Sequence, residues 1–254
     1  MLIVISPAKT LDTSSEIKTK VSSEPEFLQQ TEQIVSVLKK KNAKAISRLM
    51  GISPKLGQLN YERFQQWDGV NANDSRQAIF MFNGDVYDGI NIKEFSEDEL
   101  LYTQEHLRIL SGVYGLLKPL DIIQPYRLEM GTKITVNRKK NLYEFWKKQL
   151  TDSLNSAIEA QGDGVLINLA SNEYFSAIDK TKVKAQIITP VFKDFSNGEY
   201  KVISFFAKKA RGMMSRFILR NKINEVEKLK LFEEDGYFYN ENLSNSYQPV
   251  FTRG

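Results

Sequence analysis

The apolar residues of this chain fall partly in short continuous runs and partly at helical spacing, a combination that predicts an α/β protein. Continuous runs at Leu2–Ile5, Leu107–Leu110 and Val165–Leu169 are typical of buried strands. Periodic apolar positions predict helices over residues 25–41 and over Leu142–Ala160. Strands separated by helices favour a mixed sheet flanked by helices, and no linker divides the 254 residues, so we expect a single domain, 1–254.

Three local signals add further elements. A Ser with a Glu three residues later, at Ser96 and Glu99, is a capping box that opens a helix. Asn197-Gly198 predicts a hairpin between strands at Ile187–Phe195 and Tyr200–Phe206. A basic helix is then expected over Ala207–Arg220.

Composition restricts the possible chemistry. The chain has no cysteine and one histidine, so thiolate chemistry is excluded, and a histidine-based triad or zinc site is hard to build. His106 follows a helical run and is interpreted as a helix-end or packing residue, and we expect no metal and no cofactor. No stretch approaches the roughly 20 apolar residues of a membrane helix, and the apolar start reads as a strand rather than a signal peptide. We therefore expect a cytoplasmic protein.

The net charge of +4 is unevenly distributed, with a basic excess in the last third of the sequence. No acidic residue occurs from Tyr200 to Asn224. Lys208, Lys209 and Arg211 are expected in the first turn of the basic helix, where the helix dipole disfavours cations unless an anion is present. This pattern favours a phosphate or carboxylate site, and the alternative is a solvated basic face that also includes Arg216 and Arg220.

A second candidate site lies at about residues 43–67. The segment around Gly51, Ser53 and Lys55 has the pattern of a helix-hairpin-helix element, whose backbone amides contact a DNA phosphate. Ser53 stands where the second glycine of that element usually occurs. The alternative is an ordinary corner between two helices.

Polar residues that follow predicted strands form the third candidate. Ser6 and Lys9 follow the first strand, and Asn172 and Glu173 follow Val165–Leu169. Ligands of α/β proteins collect at the carboxyl ends of strands.

Further along the chain, Arg127 and Glu129 would share one face of an extended segment. They could contribute to the same site or form a buried pair that fixes a loop. We expect Lys9, Arg127, Glu129, Lys208 and Arg211, together with Asn172 and Glu173, to converge on one concave site.

Six ordered motifs resemble the YaaA family of bacterial peroxide-stress proteins. They are IVISPAKTLD (Ile3–Asp12), NGDVYDG (Asn83–Gly89), HLRILSGVYGLLKPLDIIQPYRLEMG (His106–Gly131), NLASNEYF (Asn168–Phe175), AKKARG (Ala207–Gly212) and VFTR (Val250–Arg253). The resemblance implies an unusual α/β fold with a basic cleft and a helix-hairpin-helix-like element. It also implies DNA binding and a role in limiting iron and oxidative damage during peroxide stress.

The resemblance also suggests which residues form each site. The cleft candidates are Lys9, Arg127, Lys208, Lys209 and Arg211, and the hairpin candidates are Gly51, Ser53 and Lys55.

Two main functions follow, and a third is weaker. The first is a DNA-binding protein, expected to be monomeric, that contacts duplex or distorted and branched DNA with little sequence preference. The alternative is an enzyme acting on a nucleotide or nucleobase, with Glu129 or Glu173 as general acid or base and Lys9, Lys208 or Arg211 holding a phosphate. An iron-binding carboxylate protein is disfavoured because the acidic residues are dispersed.

Overall fold

The computed structural model describes residues 1–17, 19–69 and 74–254 and shows a mixed α/β fold. The helices are α1 (Leu28–Lys39), α2 (Ala43–Met50), α3 (Pro54–Gln66), α4 (Ala78–Met81), α5 (Asp85–Ile90), α6 (Glu97–His106), α7 (Leu142–Gln161), α8 (Asn172–Phe175) and α9 (Ser204–Arg220). The strands are β1 (Leu2–Ile5), β2 (Thr10–Leu11), β3 (Arg76–Gln77), β4 (Phe82–Asn83), β5 (Leu107–Ser111), β6 (Gly115–Leu117), β7 (Ile122–Ile123), β8 (Val165–Asn168), β9 (Gln186–Ile188), β10 (Val191–Ser196), β11 (Glu199–Lys201), β12 (Phe238–Tyr239) and β13 (Val250–Arg253). No described helix is long and apolar enough to cross a membrane.

The larger sheet has the strand order β6-β5-β1-β8-β9. β1 pairs in parallel with β5 on one side and with β8 on the other, while β6 runs antiparallel to β5. All four residues of β1 are buried, which explains its continuous apolar run. The predicted mixed sheet and its first strand are therefore confirmed, and the carboxyl ends of β1, β5 and β8 meet at one edge.

Helix α7 shows how local sequence sets the ends of an element. The Asn141 side chain accepts a hydrogen bond from the backbone N–H of Glu144, and Gly162 ends the helix in the left-handed conformation. Apolar residues at helical spacing form its buried face, which includes Trp146 and Leu150. The predicted helix Leu142–Ala160 is confirmed to within one residue.

The second sheet has the order β11-β10-β13-β12 and corrects the predicted hairpin strands. The hairpin at Asn197-Gly198 is present between β10 and β11. The predicted strand Ile187–Phe195 is wrong, because it divides at Pro190 into β9 of the first sheet and β10 of the second. Proline lacks the N–H that a continuous central strand needs, so Pro190 favours this break.

Helix α9 corrects the position of the C-terminal cations. The predicted strand Tyr200–Phe206 is wrong after Lys201, because α9 begins at Ser204 rather than Ala207. Lys208 and Lys209 therefore lie in the second turn and Arg211 lies beyond it, where the dipole of the helix start no longer acts. The expectation that these cations occupy the first turn is wrong, and the demand for an anion at the helix start disappears with it.

The remaining predictions differ in detail. The helix predicted over residues 25–41 begins at Leu28, because residues 26–27 form a turn. The capping box is confirmed: the side chain of Ser96 accepts from the N–H of Glu99, whose carboxylate accepts from the N–H of Ser96.

His106 ends α6, and its ring stacks on Tyr102 with 3.9 Å between centroids. Its predicted helix-end role is confirmed.

Candidate functional site

A polar network occupies the edge where β1, β5 and β8 end. The backbone N–H of Ser171, after β8, donates to the hydroxyl of Ser6, after β1, at 2.9 Å. Tyr87 donates its hydroxyl to the carbonyl of Ser6 at 3.0 Å. The hydroxyls of Ser111, at the end of β5, and Tyr126 are 2.6 Å apart. The first two bonds link the ends of β1 and β8 to each other and to α5, and the third fastens Tyr126 to the end of β5. All three lie at the carboxyl edge of the parallel strands, where topology predicts a crevice, and that edge is called the crevice here.

Lys9, Arg127 and Glu129 meet beside this network. The Glu129 carboxylate lies 2.8 Å from Lys9 Nζ and 3.1 Å from Arg127 Nη2. Burial raises the pKa of Glu129, but the hydrogen bonds and charges of Lys9 and Arg127 outweigh burial, so the pKa lies below its ordinary value. Glu129 is therefore ionised at neutral pH and unsuited to act as a general acid.

Arg127 has one polar atom without a partner. Its Nε is buried and makes no hydrogen bond within the described part of the chain, whereas its Nη2 contacts Glu129. An unpaired N–H in a low-dielectric environment carries a desolvation cost. The guanidinium is thus bound to the protein through only part of its donor set.

Glu173 and Asn172 lie at the start of α8, on the same side of the crevice. Glu173 Oε1 accepts the backbone N–H of Gly131 at 2.9 Å, two residues after Glu129 in the sequence. Asn172 is exposed in the first turn of α8. The structure therefore brings Lys9, Arg127 and Glu129 into direct contact and places Glu173 next to them through Gly131.

The cations of α9 divide among several neighbours instead of converging on that crevice. Lys208 Nζ lies 3.9 Å from Asp85. Lys209 faces Asp235 at 3.9 Å, and Arg216 pairs with Glu94.

Arg211 differs from the other α9 cations. Burial lowers its pKa, and within the described residues it forms no ion pair, bonding through Nε to the carbonyl of Ala207 at 3.2 Å. Arginine remains charged even so.

The helices α2 and α3 form a tight helical hairpin, defined here as residues 43–66. Gly51 adopts the left-handed conformation, with φ of 62°, and Ser53 caps α3 by accepting from the N–H of Leu56. Gly57 is buried against Ser47 and Ala43, so the two helices approach closely. Gly51, Ser53 and Lys55 are exposed at the turn, and their contact with DNA stays a prediction.

A basic run in this region is concealed in the total charge of the first 180 residues. Residues 33–61 contain no acidic residue and six cations: Lys39, Lys40, Lys41, Lys44, Arg48 and Lys55. Within the described residues none of the six forms an ion pair, whereas Lys208, Lys209, Arg216 and Arg220 of α9 each have a carboxylate partner. Acidic residues elsewhere in residues 1–180 offset these six cations in the total, so the run is visible only when the charge is summed over a segment of about its own length.

No group of three His, Asp or Glu side chains within the described residues is placed to hold a metal ion. The histidine ring is engaged, because His106 Nδ1 lies 3.0 Å from the carbonyl oxygen of Met1.

Comparison with known proteins covers the whole chain. A UPF0246 protein of Shewanella oneidensis is 52% identical over 254 residues, covering 100% of this chain and 99% of the relative. UPF0246 proteins of Shewanella baltica and Aliivibrio fischeri are 51% and 50% identical over the same 254 residues, with 99% and 98% of the relatives covered. The family model described as peroxide stress protein YaaA matches residues 1–243. This chain therefore belongs to the YaaA family of peroxide stress proteins.

Proposed function

We propose that this protein binds the DNA backbone as part of the peroxide stress response, and that the helical hairpin supplies the contact surface. The observation that carries the proposal is a run of six cations with no ion-pair partner within the described residues. Lys44, Arg48 and Lys55 belong to the helical hairpin, and Lys39, Lys40 and Lys41 lie at the end of α1 just before it. Clustered positive charge that no carboxylate neutralises attracts a polyanion. When lysine and arginine neutralise DNA phosphates, the counterions condensed on the DNA are released, and this release favours binding.

The geometry of the turn supports the same function. Lys55 occupies the second position of α3, where the backbone N–H has no partner inside the helix. With the exposed turn at Gly51 and Ser53, the helix start offers amides and a cation to one phosphate group. Lys44 and Arg48 lie one turn apart on the exposed side of α2 and extend the positive surface. Such contacts carry no base information, so we expect little sequence preference for duplex or for distorted and branched DNA.

The cations of α9 have a smaller part in this proposal. Arg216 and Arg220 are held by Glu94 and Glu99, so a phosphate would have to compete with a carboxylate for each. Their ion pairs fasten α9 to the segment that precedes and begins α6. We therefore limit the proposed basic cleft to Lys9 and Arg127, which share Glu129, and treat it as secondary to the hairpin.

The physiological part of the proposal follows from the chemistry the chain lacks. Without cysteine the protein has no thiol to reduce peroxide, so we propose that it protects cytoplasmic DNA by binding it and limits iron damage indirectly.

A double charge reversal tests the hairpin. Lys44→Glu with Lys55→Glu should lower the affinity for a labelled duplex by about ten-fold or more at low salt, because several phosphate contacts are lost. The matched control is Lys148→Glu with Lys228→Glu, which changes net charge equally at exposed lysines already paired with Asp152 and Glu225. Equal loss in both proteins would show that only total charge matters, and unchanged affinity in the hairpin variant would refute the proposal.

A second function, action on a nucleotide, is favoured by one observation. Lys9 and Arg127 converge at the strand-end crevice, and the buried Nε of Arg127 has no partner in the described residues. A phosphate group could take the place of Glu129 between the two cations. Isothermal titration with nucleoside mono- and diphosphates tests this function: binding that Lys9→Ala abolishes supports it, and no heat at millimolar nucleotide argues against it.

A further inference from the structure

The four-stranded sheet carries an exposed aromatic surface on the side turned away from α9. Along β10 the buried side chains are Phe192 and Asp194, so Lys193 and Phe195 point to the opposite side. Phe192 packs on Phe232, which in turn packs on Phe217 of α9. The side of the sheet that bears Phe195 is therefore the outer one.

Strand register extends this pattern across the sheet. Tyr200 of β11 pairs with Phe195, and their rings meet edge to face at 5.3 Å. Thr252 of β13 pairs with Lys193, and Phe238 of β12 pairs with Thr252. Phe195 and Phe238 are 53% and 54% exposed. Tyr200 is 36% exposed and forms a contiguous aromatic pair with Phe195, and such exposed apolar surface is typical of an interaction site.

We propose that this outer face, defined by Phe195, Tyr200, Phe238, Lys193 and Thr252, binds single-stranded nucleic acid. Bases stack on the three rings, because every base has a π-face that an aromatic side chain can accept. Lys193 stands between the rings and contacts the backbone phosphate. Tyr200 is held for this role by its hydroxyl, which donates to the carbonyl of Gly254 at 3.0 Å.

The charge on the face favours nucleic acid over a protein partner. The outward positions of the described sheet are Val191, Lys193, Phe195, Tyr200, Phe238, Val250 and Thr252, and none of them is a carboxylate. The charged group among them is a lysine, which attracts phosphate.

The spacing of the rings points the same way. Phe238 lies two strands from Phe195 and two residues along, roughly 10 Å across and about 7 Å along the sheet. Lys193 and Thr252 separate the two rings, so the face offers separate stacking platforms. The core of a protein interface is instead apolar, with charged residues depleted.

This inference does not depend on the hairpin proposal, because it uses different residues and a different form of nucleic acid. Duplex DNA keeps its bases stacked internally and offers the sheet nothing to stack on. Variants of the outer face should therefore leave duplex binding unchanged.

The test measures binding of labelled oligo(dT) and oligo(rU) of about twelve nucleotides by fluorescence anisotropy. Phe195→Ala and Phe238→Ala should each lower affinity by about five-fold or more, since each removes one stacking partner. Phe205→Ala is the matched control: Phe205 is 58% exposed but lies on α9, on the other side of the sheet, and its loss should change nothing. Equal affinity for the two oligonucleotides indicates stacking alone, and a preference identifies DNA or RNA as the natural ligand.

A second measurement holds even if a variant folds poorly. Photocrosslinking of an oligonucleotide that contains 5-iodouracil to the unmodified protein should label Phe195, Tyr200 or Phe238. No binding of either oligonucleotide at low salt, or crosslinks confined to other surfaces, overturns the inference. An equal loss of oligonucleotide affinity in Phe205→Ala would also overturn the inference. The same holds if a protein partner requires Phe195 and Phe238 for binding while neither oligonucleotide binds.

Discussion

At the scale of single residues, the crevice is organised by one carboxylate held between two cations. Glu129 contacts both Lys9 and Arg127, and this contact joins the segment after β1 to the segment after β7. The alternation of Arg127 and Glu129 predicts a shared face, and their contact agrees with it.

Glu129→Gln should destabilise the protein by about 1–2 kcal/mol at neutral pH, because the mostly buried Arg127 and the exposed Lys9 lose their shared anion. The pKa of Glu129 is lowered on folding, so its contribution is complete above the ordinary pKa of glutamate. That contribution is lost as the pH falls through the lowered pKa of the folded state. Urea unfolding across this range should show the two proteins converging in acid. A constant difference at all pH values would contradict the assignment.

Asp121 provides a pH dependence of opposite sign. Burial raises its pKa to about 6, although Ser23 donates to it at 2.6 Å and the N–H of Lys118 at 2.7 Å. The folded state then binds the proton more tightly, so the stability from this group falls as pH rises from about 4 to about 6. Relative to Asp121→Asn, the parent should lose roughly 2–3 kcal/mol over that interval. Parallel pH profiles of the two proteins would show that folding does not raise the pKa of Asp121.

At the scale of elements, two glycines decide how closely helices pack. Gly89 of α5 and Gly212 of α9 face each other: a Cβ on Gly89 would overlap the backbone of α9, and one on Gly212 would overlap the carbonyl of Val86. Gly212 lies inside the helix predicted over Ala207–Arg220, where helix propensity alone would favour alanine. Only the contact between α5 and α9 explains why alanine is unsuitable there.

Gly212→Ala should destabilise the protein by about 3 kcal/mol or more, because the overlap is with rigid backbone. Gly162→Ala is a suitable comparison: it has open space around it and a φ of 78°, so it should cost only about 1 kcal/mol of backbone strain. Thermal unfolding of both variants measures the difference. Similar melting temperatures would indicate that α5 and α9 can separate without cost.

The turn of the hairpin gives an element-scale prediction about binding. Gly51→Val should weaken duplex binding and cost about 1–2 kcal/mol, because a β-branched residue resists the left-handed conformation. Gly51→Asn should retain most affinity, since asparagine tolerates that conformation. Circular dichroism confirms folding before anisotropy is measured. Full affinity in a folded Gly51→Val protein would leave the turn as a structural corner.

At the scale of the whole molecule, the arrangement of charge matters more than its total. A net charge of +4 is modest, and four of the five cations of α9, all but Arg211, are matched by Asp85, Asp235, Glu94 and Glu99. The six cations of residues 33–61 form no ion pair within the described residues. The positive potential is therefore expected to centre on the hairpin.

Duplex binding should depend strongly on salt. Contacts with about four to six phosphates give a slope of roughly −3.5 to −5.5 in a plot of log affinity against log salt concentration. The variant with Lys44→Glu and Lys55→Glu should have a slope shallower by about two units, and the variant with Lys148→Glu and Lys228→Glu should keep the parental slope. Titrations at several salt concentrations provide both values. A flat response in the parent would exclude backbone binding.

Sequence alone determined the elements whose cause is local. The buried strand β1, helix α7 with its asparagine cap, the capping box at Ser96 and the hairpin at Asn197-Gly198 all follow from neighbouring residues, because hydrogen bonds and periodicity act over a few positions. The polar residues that follow β1 and β8 also predicted correctly that these strands end at one polar edge of the sheet.

Tertiary structure decided the rest. It placed β9 and β10 in different sheets, and it gave Arg216 and Arg220 partners more than a hundred residues away in the sequence. The electrostatic energy of a charge depends on distance in space, so a basic run in the sequence does not reveal whether carboxylates from another helix neutralise it. For the same reason the two basic segments, which look alike in the sequence, differ in the fold: four of the five cations of α9 are paired with carboxylates, whereas none of the six in residues 33–61 is paired within the described part of the chain.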